Sequence, residues 1–440
     1  MNLILGSHDE MSKANLSGTS ERDVVLNMEG FRPIHGITLG AGGLLICEHL
    51  RMRPFTLDPF EIAVPDEVLN DLRSRLAMTR WPESETVSDW SQGVPLDYLQ
   101  ELAAYWADGY DWRQREQRLN TVDHFMTDID GLDIHFIHQR SQHADALPIL
   151  ITHGWPGSVV EFMDLIPRLT DPTAFGGDAS DAFHVICPSL PGYGFSAKPN
   201  SSGTGVARIA EMWATLMDRL GYDRWVAQGG DWGAAVTTQI GRDASATPEH
   251  GCRAIHLNMP IAGPTPEALA SPTPADEQAF AALTHYQQWD SGYSKQQSTR
   301  PQTLGYGLTD SPVGQLAWII EKFWAWSDCD GHPENALSRD AMLDDVMMYW
   351  CTAAGASSAR LYWESFSSFG PGPRVEIPTG VAAFPKEIIR SPRSWCEQGF
   401  NIVHWAEMER GGHFAAFEQP DALALDIRDC FRGLRGSDDS

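Results

Sequence analysis

Residues 225–236, WVAQGGDWGAAV, run an apolar strand pattern into an aspartate flanked by small residues, with a helix pattern directly behind it. Small-x-nucleophile-x-small at a strand-to-helix junction is the form of a nucleophile elbow, a turn so sharp that flanking Cβ atoms would strike the neighbouring strand or helix. The central side chain, Asp231, then stands at the carboxyl end of the strand. An aspartate at such a junction is commonly only a helix cap. Gly229, Gly230 and Gly233 argue for the elbow instead, and so do the partners downstream. Glu387, in VAAFPKEIIR, lies just past an apolar strand pattern, and His413, in ERGGHFAAFEQP, sits between glycines and an apolar helical segment. Alone, one is an exposed charge and the other a surface histidine. Behind an elbow, and in the order nucleophile, acid, histidine, they form a carboxylate that orients an imidazole. The fourth element is HGWPGS at 153–158, again after a strand pattern. That loop and the residue after the nucleophile supply the two backbone N–H groups of an oxyanion hole, assigned to Trp155 and Trp232.

An aspartate in this position narrows the chemistry. A carboxylate is ionised at neutral pH and attacks without a base to activate it. Attack on an sp³ carbon bearing a leaving group gives an alkyl ester of Asp231. Water activated by His413 then attacks the ester carbonyl carbon, and the oxyanion hole stabilises the tetrahedral intermediate. An acyl substrate calls for Ser or Cys there, so epoxides, alkyl halides and their like are the expected substrates.

These residues need a scaffold that gathers strand ends. Candidate strands at Ile149–Thr152, His184–Pro188, Trp225–Gln228 and Ala254–Asn258 alternate with helical patterns, which predicts a mostly parallel sheet covered on both faces, an α/β architecture. The helix VARIAEMWATLMDRLG puts Val206, Ile209, Ala210, Trp213, Leu216, Met217 and Leu220 on one face, with Gly221 as its C-cap. After Pro260 the alternation stops. It resumes at Thr379–Phe384 and Ile402–Glu407, so 261–375 reads as a helical lid inserted between core halves at 146–260 and 376–435. Upstream, 52–145 holds two amphipathic helices, over Pro65–Met78 and around Tyr98–Trp106, and a hairpin turning at Asp130-Gly131. Residues 1–51 read as a disordered or spurious extension and 436–440 as a tail.

Composition sets bounds. A share of 42% apolar residues and 16 tryptophans indicate a large core, and a net charge of −27 argues against nucleic acid and anionic membrane surfaces. Ile37–Cys47 is too short for a membrane helix and lacks a basic flank, so neither an anchor nor a signal peptide is expected. Seven cysteines without a C-x-x-C pair suggest a reducing cytoplasm. No motif calls for a cofactor or metal. His135 and His138 lie three apart on a strand and face opposite ways.

The sequence resembles the microsomal-type epoxide hydrolases, in which an N-terminal epoxide hydrolase domain precedes an α/β-hydrolase core. The matching motifs include RWP at 80–82, DWRQREQRLN at 111–120, DGLDIHFIH at 130–138 and HGWPGS at 153–158. They continue with PSLPGYGFS at 188–196, GGDWG at 229–233, DSPVGQLAWIIEKF at 310–323 and RGGHFAAFE at 410–418. The resemblance implies an α/β-hydrolase fold, an Asp231 nucleophile, a Glu387–His413 pair, and two lid tyrosines that donate to the epoxide oxygen. Those tyrosines map to Tyr293 in SGYSKQQ and Tyr362 in RLYWESF, with Tyr286, Tyr306 and Tyr349 as nearby competitors. It further implies a small apolar epoxide and water as partners and leaves a homodimer open. Detoxification, catabolism of aromatic hydrocarbons and natural-product tailoring stay equally open. Two rival readings remain at this point: a haloalkane dehalogenase, and a non-catalytic binding protein that kept the pocket.

Overall fold

The computed structural model describes residues 56–247, 249–365 and 372–435, all within the unit Pro54–Ser440. The readings of 1–51 and of the 436–440 tail lie outside the described residues. Nine strands among these residues make one sheet. They are β1 (Asp58–Phe60), β2 (His124–Ile129), β3 (Leu132–Gln139), β4 (Leu147–Thr152), β5 (Phe183–Pro188), β6 (Trp225–Gly229), β7 (Cys252–Leu257), β8 (Val375–Ala383) and β9 (Phe400–Glu407). Their order is β1-β2-β3-β5-β4-β6-β7-β8-β9, antiparallel from β1 to β5 and parallel from there on. β4, β5 and β6 are buried at every residue, which is why they read as unbroken apolar runs rather than alternating ones. The β2–β3 hairpin turns on two residues, and both Asp130 (φ 54°) and Gly131 (φ 86°) take the positive φ that a two-residue turn of this hand requires.

The helices follow from the same rules. In α5 (Val206–Arg219) the apolar face, with Ile209, Trp213, Leu216 and Met217, is fully buried. Gly221 (φ 80°) ends it as the sequence predicts. The Tyr222 N–H donates to Met217 O and the Gly221 N–H to Asp218 O, the paired closure of a Schellman motif. α6 (Trp232–Ala246) starts directly behind β6. Of the two helices expected near the N-terminus, one is α1 (Asp66–Ala77) and the other is α2 (Leu96–Ala104) with a further wide turn. A third, α3 (Trp112–Leu119), is capped by Asp111, whose carboxylate accepts from the Arg113 and Gln114 N–H groups.

α4 (Leu165–Thr170) lies between β4 and β5. The described residues between β7 and β8 are helical, with α7 (Pro266–Ala270), α8 (Pro274–His285) and α10 (Pro301–Asp310) accompanying the four that bear on the site, α9 (Gly292–Thr299), α11 (Pro312–Trp326), α12 (Arg339–Trp350) and α13 (Gly355–Ser365). The N-terminal segment packs on them. Trp90 stacks on Trp324 at 5.1 Å, and Arg115 of α3 makes a bidentate pair with Asp344 of α12, at 2.8 and 2.5 Å. Tyr110 donates to the same carboxylate at 2.8 Å. Burial lifts the Asp344 carboxyl above its usual range even though Arg115 and Tyr110 favour its charge. The pair therefore acts chiefly by fixing geometry and satisfying a buried group. Arg115→Ala is expected to destabilise the fold by about 3 kcal/mol, because it strands a buried carboxylate, and Arg115→Met with Asp344→Leu should recover much of the loss. Denaturant midpoints of the two variants check this; equal losses would show that the pair matters only as packing.

Candidate active site

The elbow is a backbone strain that its surroundings enforce. Asp231 has φ 52° and ψ −128°, a region that costs a non-glycine residue on the order of 1–3 kcal/mol. A Cβ at Gly229 would sit 2.2 Å from the Gly233 carbonyl oxygen, and one at Gly233 would sit 1.8 Å from that of Thr152. β6, α6 and the end of β4 are thus in backbone contact, and the turn has one way out. The Asp231 carboxylate does not cap α6. It leans over Gly154, where a Cβ would lie 2.1 Å from Oδ1, and accepts a hydrogen bond from the Trp155 N–H at 2.8 Å. Trp232 is the first residue of α6, at the helix end from which backbone N–H groups point outward.

His413 Nε2 lies 3.3 Å from Asp231 Oδ2, and its Nδ1 is 2.6 Å from Glu387 Oε1. With Nδ1 protonated, the ring donates to Glu387 and turns Nε2 toward Asp231. The Ile388 N–H also donates to Glu387 Oε1, at 2.7 Å. Two loops after adjacent strands carry these groups, joined by the Lys386 N–H to Gly411 O bond at 3.1 Å. Burial disfavours the imidazolium, but the carboxylates of Glu387 and Asp231 outweigh it and hold His413 well above the usual histidine range.

Both tyrosines are buried over this centre. The Tyr293 ring stacks on Trp155 at 4.9 Å, and Tyr362 stands edge-on to Trp155 at 5.9 Å and to Trp232 at 4.8 Å. The Tyr362 hydroxyl is buried with no hydrogen bond of good geometry, the Trp232 side chain acting on it only as a weak donor. Tyr286 and Tyr293 share a hydroxyl contact at 3.2 Å. Burial, reinforced by the Asp231 charge, pushes both Tyr293 and Tyr362 well above the usual phenol range, so they stay protonated. Of the three competitors, Tyr286 lies beside Tyr293 and the other two are placed otherwise. Tyr306 is 70% exposed, and Tyr349 donates to the Gly157 carbonyl at 2.7 Å.

Several neighbours escaped the sequence reading. Lys322 is buried, paired with Glu321, with its ammonium 4.6 Å from the Tyr293 ring centroid. Glu418 accepts N–H groups of Asp328, Gly412 and Phe414 at 2.7, 3.1 and 3.0 Å, and so clamps the histidine loop to the end of α11; burial lifts its carboxyl to about 7. Trp326, the last residue of α11, accepts the His413 N–H at 2.9 Å and packs edge-on to its ring at 5.0 Å. Glu161 faces a chamber beside Asp231. The run Ser158-x-x-Glu161 reads locally as a capping box, which hides any other role. A second cavity, of about 990 Å³, is bounded by Tyr293 and Lys322 and by Trp90, Trp318 and Trp324.

A strained strand–Asp–helix turn on a mostly parallel sheet, with acid and histidine loops at neighbouring strand ends, defines an α/β hydrolase. Residues 148–304 match the family model described as alpha/beta hydrolase fold, and residues 57–162 match that of the epoxide hydrolase N terminus. The chain is 37% identical to epoxide hydrolase 1 of Sus scrofa, over 86% of this chain and 89% of that protein. It is 55% identical, over 86% of each chain, to a Stigmatella aurantiaca (strain DW4/3-1) protein assigned only provisionally as an epoxide hydrolase. The solved Aspergillus niger epoxide hydrolase superposes with a TM-score of 0.76 at 32% identity, covering 86% of this chain and 96% of that one. The chain belongs to the epoxide hydrolase family, hydrolases that act on ether bonds. Among the described residues no helix is long and apolar enough to cross a membrane.

The elbow makes a sharp prediction. Alanine ordinarily improves a helix over glycine by about 1 kcal/mol. Gly233→Ala is expected to do the reverse, by on the order of 4 kcal/mol or more, because its Cβ meets backbone. Soluble yield and thermal midpoint measure it; a stabilised variant would refute the close approach of β4 and α6.

Proposed function

We propose that the protein converts an epoxide to a vicinal diol through a covalent ester on Asp231. The observation that carries the reading is one carboxylate held by the Trp155 N–H on one oxygen and faced by His413 on the other, beneath two protonated, buried phenols. In this scheme one Asp231 oxygen attacks an epoxide carbon, the C–O bond breaks, and Tyr293 and Tyr362 donate to the developing alkoxide. Water then loses a proton to His413 Nε2 as its oxygen attacks the Asp231 carbonyl carbon. The Trp155 and Trp232 N–H groups stabilise the oxyanion, and collapse releases the diol.

The electrostatics support an ordered cycle. In the resting state the Asp231 charge helps keep His413 protonated. Esterification removes that charge, so the imidazole pKa falls at the moment a neutral base is needed. Residues 261–375 act as the lid that brings the tyrosines, 146–260 and 376–435 as the core halves, and 52–145 as a brace on the lid.

Turnover of a panel of aryl and alkyl epoxides and haloalkanes by wild type and freshly prepared Asp231→Asn tests the reading. Diol from wild type and none from the variant is expected; halide release with no diol would make the protein a dehalogenase, and silence from both would favour a binding protein. His413→Gln should still form the ester but hydrolyse it at least ~10²-fold more slowly, visible as a stoichiometric adduct by intact mass. Because His413 works as a base, ester hydrolysis in wild type should fall as pH drops through the imidazole pKa of the ester state, while ester formation persists. Equal acid loss of both steps would remove His413 as the base.

A further inference from the structure

The Asp231 carboxylate borders a second, smaller space whose lining includes neither tyrosine. This chamber has a volume of about 30 Å³ and is lined by Asp231, His413, Glu161, Gln228, Asn258 and Thr152, among others. That is room for one or two waters, with several polar groups to hold them. The space is too small for an organic substrate. Glu161 is the carboxyl in its wall that the mechanism above does not use.

Its placement is built rather than incidental. A Cβ at Gly157 would lie 1.6 Å from Glu161 Oε1, so the backbone of the Trp155 loop gives up a side chain to admit this carboxyl. Ser158, which caps the short turn Val159–Phe162, spends its hydroxyl hydrogen on Asp345 Oδ1 at 2.6 Å, and Asp345 Oδ2 is buried with no partner. A partly buried acid, Glu161, and a fully buried one, Asp345, therefore lie under the Trp155 loop. Burial first, then the Asp231 charge, raise the Glu161 carboxyl to about 8, against the lowering effects of His413 and the Ser158 N–H. Asp345 is raised well above the carboxylate range by burial and by Glu161 itself. At neutral pH Glu161 is a carboxylic acid facing a water-sized space beside the base and the ester-forming carbonyl.

We propose that Glu161 is a positioning residue that holds the attacking water in this chamber, its carbonyl oxygen accepting the hydrogen that His413 does not take. The proposal rests on the covalent reading above. In the step itself, the water oxygen bonds to the Asp231 carbonyl carbon and one proton passes to His413 Nε2. Collapse breaks the bond from that carbon to the alkyl oxygen, which takes the proton from His413. The water's other proton, left on Asp231, passes to the phenoxide of the tyrosine that protonated the epoxide oxygen, restoring carboxylate and phenol. One oxygen of the regenerated carboxylate comes from water, and Glu161 keeps its own proton throughout. A neutral acid suits the task, since a second anion beside Asp231 would repel the substrate-bound oxyanion as it forms.

Rapid-quench single turnover with the fastest epoxide of the panel, following the Asp231 adduct by peptide mass, separates the two steps. Glu161→Met keeps the volume and removes the acceptor; it should form the ester within about three-fold of the wild-type rate yet hydrolyse it about a hundred-fold more slowly. Glu161→Gln retains a carbonyl acceptor and should hydrolyse the ester within about ten-fold of wild type. Normal ester hydrolysis by Glu161→Met overturns the assignment. So does a loss spread equally over both steps, or a Gln variant as slow as Met. If neither variant folds, Glu161 belongs to the loop's architecture and the assignment falls. A wild type that forms no ester at Asp231 overturns the covalent reading itself, which the other outcomes leave standing.

Discussion

The site depends on a backbone contact. β6 and α6 approach the end of β4 so closely that positions 229 and 233 have no room for a Cβ. With those positions fixed, Asp231 cannot relax out of positive φ, and its carboxylate is held above the sheet rather than folded back onto the helix. Every later feature uses that fixed point. The Trp155 N–H reaches it from the β4 loop and His413 reaches it from the loop after β9. A strained residue persists only where its surroundings over-determine it, and here three neighbouring segments do so together.

Around this point the protein arranges charge by burial. His413 is kept protonated by two carboxylates, the phenols are kept protonated by desolvation, and Glu161 is kept neutral by both burial and the Asp231 charge. The same anion thus favours the proton on every group that faces it. In the proposed cycle, neutralising Asp231 as an ester would lower the pKa of His413. Ordering of the steps would then follow from the charge of Asp231 itself.

Much of this was legible in the sequence, for identifiable reasons. The elbow, the hairpin turn and the end of α5 are legible because backbone conformations with positive φ or close approach demand glycine or aspartate at fixed places: Gly229, Gly233, Gly131 and Gly221. Buried parallel strands are legible as apolar runs. β8 begins at Val375, earlier than expected, because Pro378 interrupts the pattern and the ladder to β9 shifts register around it. β1 is three residues long and mostly exposed, so it carries no periodicity. Glu161 and Glu418 were invisible because their partners are backbone groups or lie far off in sequence, and Lys322 because nothing local shows that its ammonium lies over the Tyr293 ring. Choosing Tyr293 and Tyr362 over Tyr306 and Tyr349 needed the family resemblance, since nothing local distinguishes one lid tyrosine from another.

The helical insert does more than roof the site. Trp326 ends α11, and its carbonyl receives the His413 N–H while its ring packs on the imidazole and, at 5.1 Å, on Tyr293. Glu418 ties the next residues of the insert, through the Asp328 N–H, to the backbone on both sides of His413. His413 of the core and Tyr293 of the insert therefore share one tryptophan, and Glu418 ties the segments behind it together. Arg115 and Trp90 also fasten α12 and α11 to the N-terminal segment. α11 carries both Trp324, which stacks on Trp90 of that segment, and Trp326, which packs on the imidazole and on Tyr293. Loosening Trp90 from Trp324 therefore bears on the helix whose last residue contacts His413 and Tyr293 together, which ties the N-terminal segment to the geometry around Asp231.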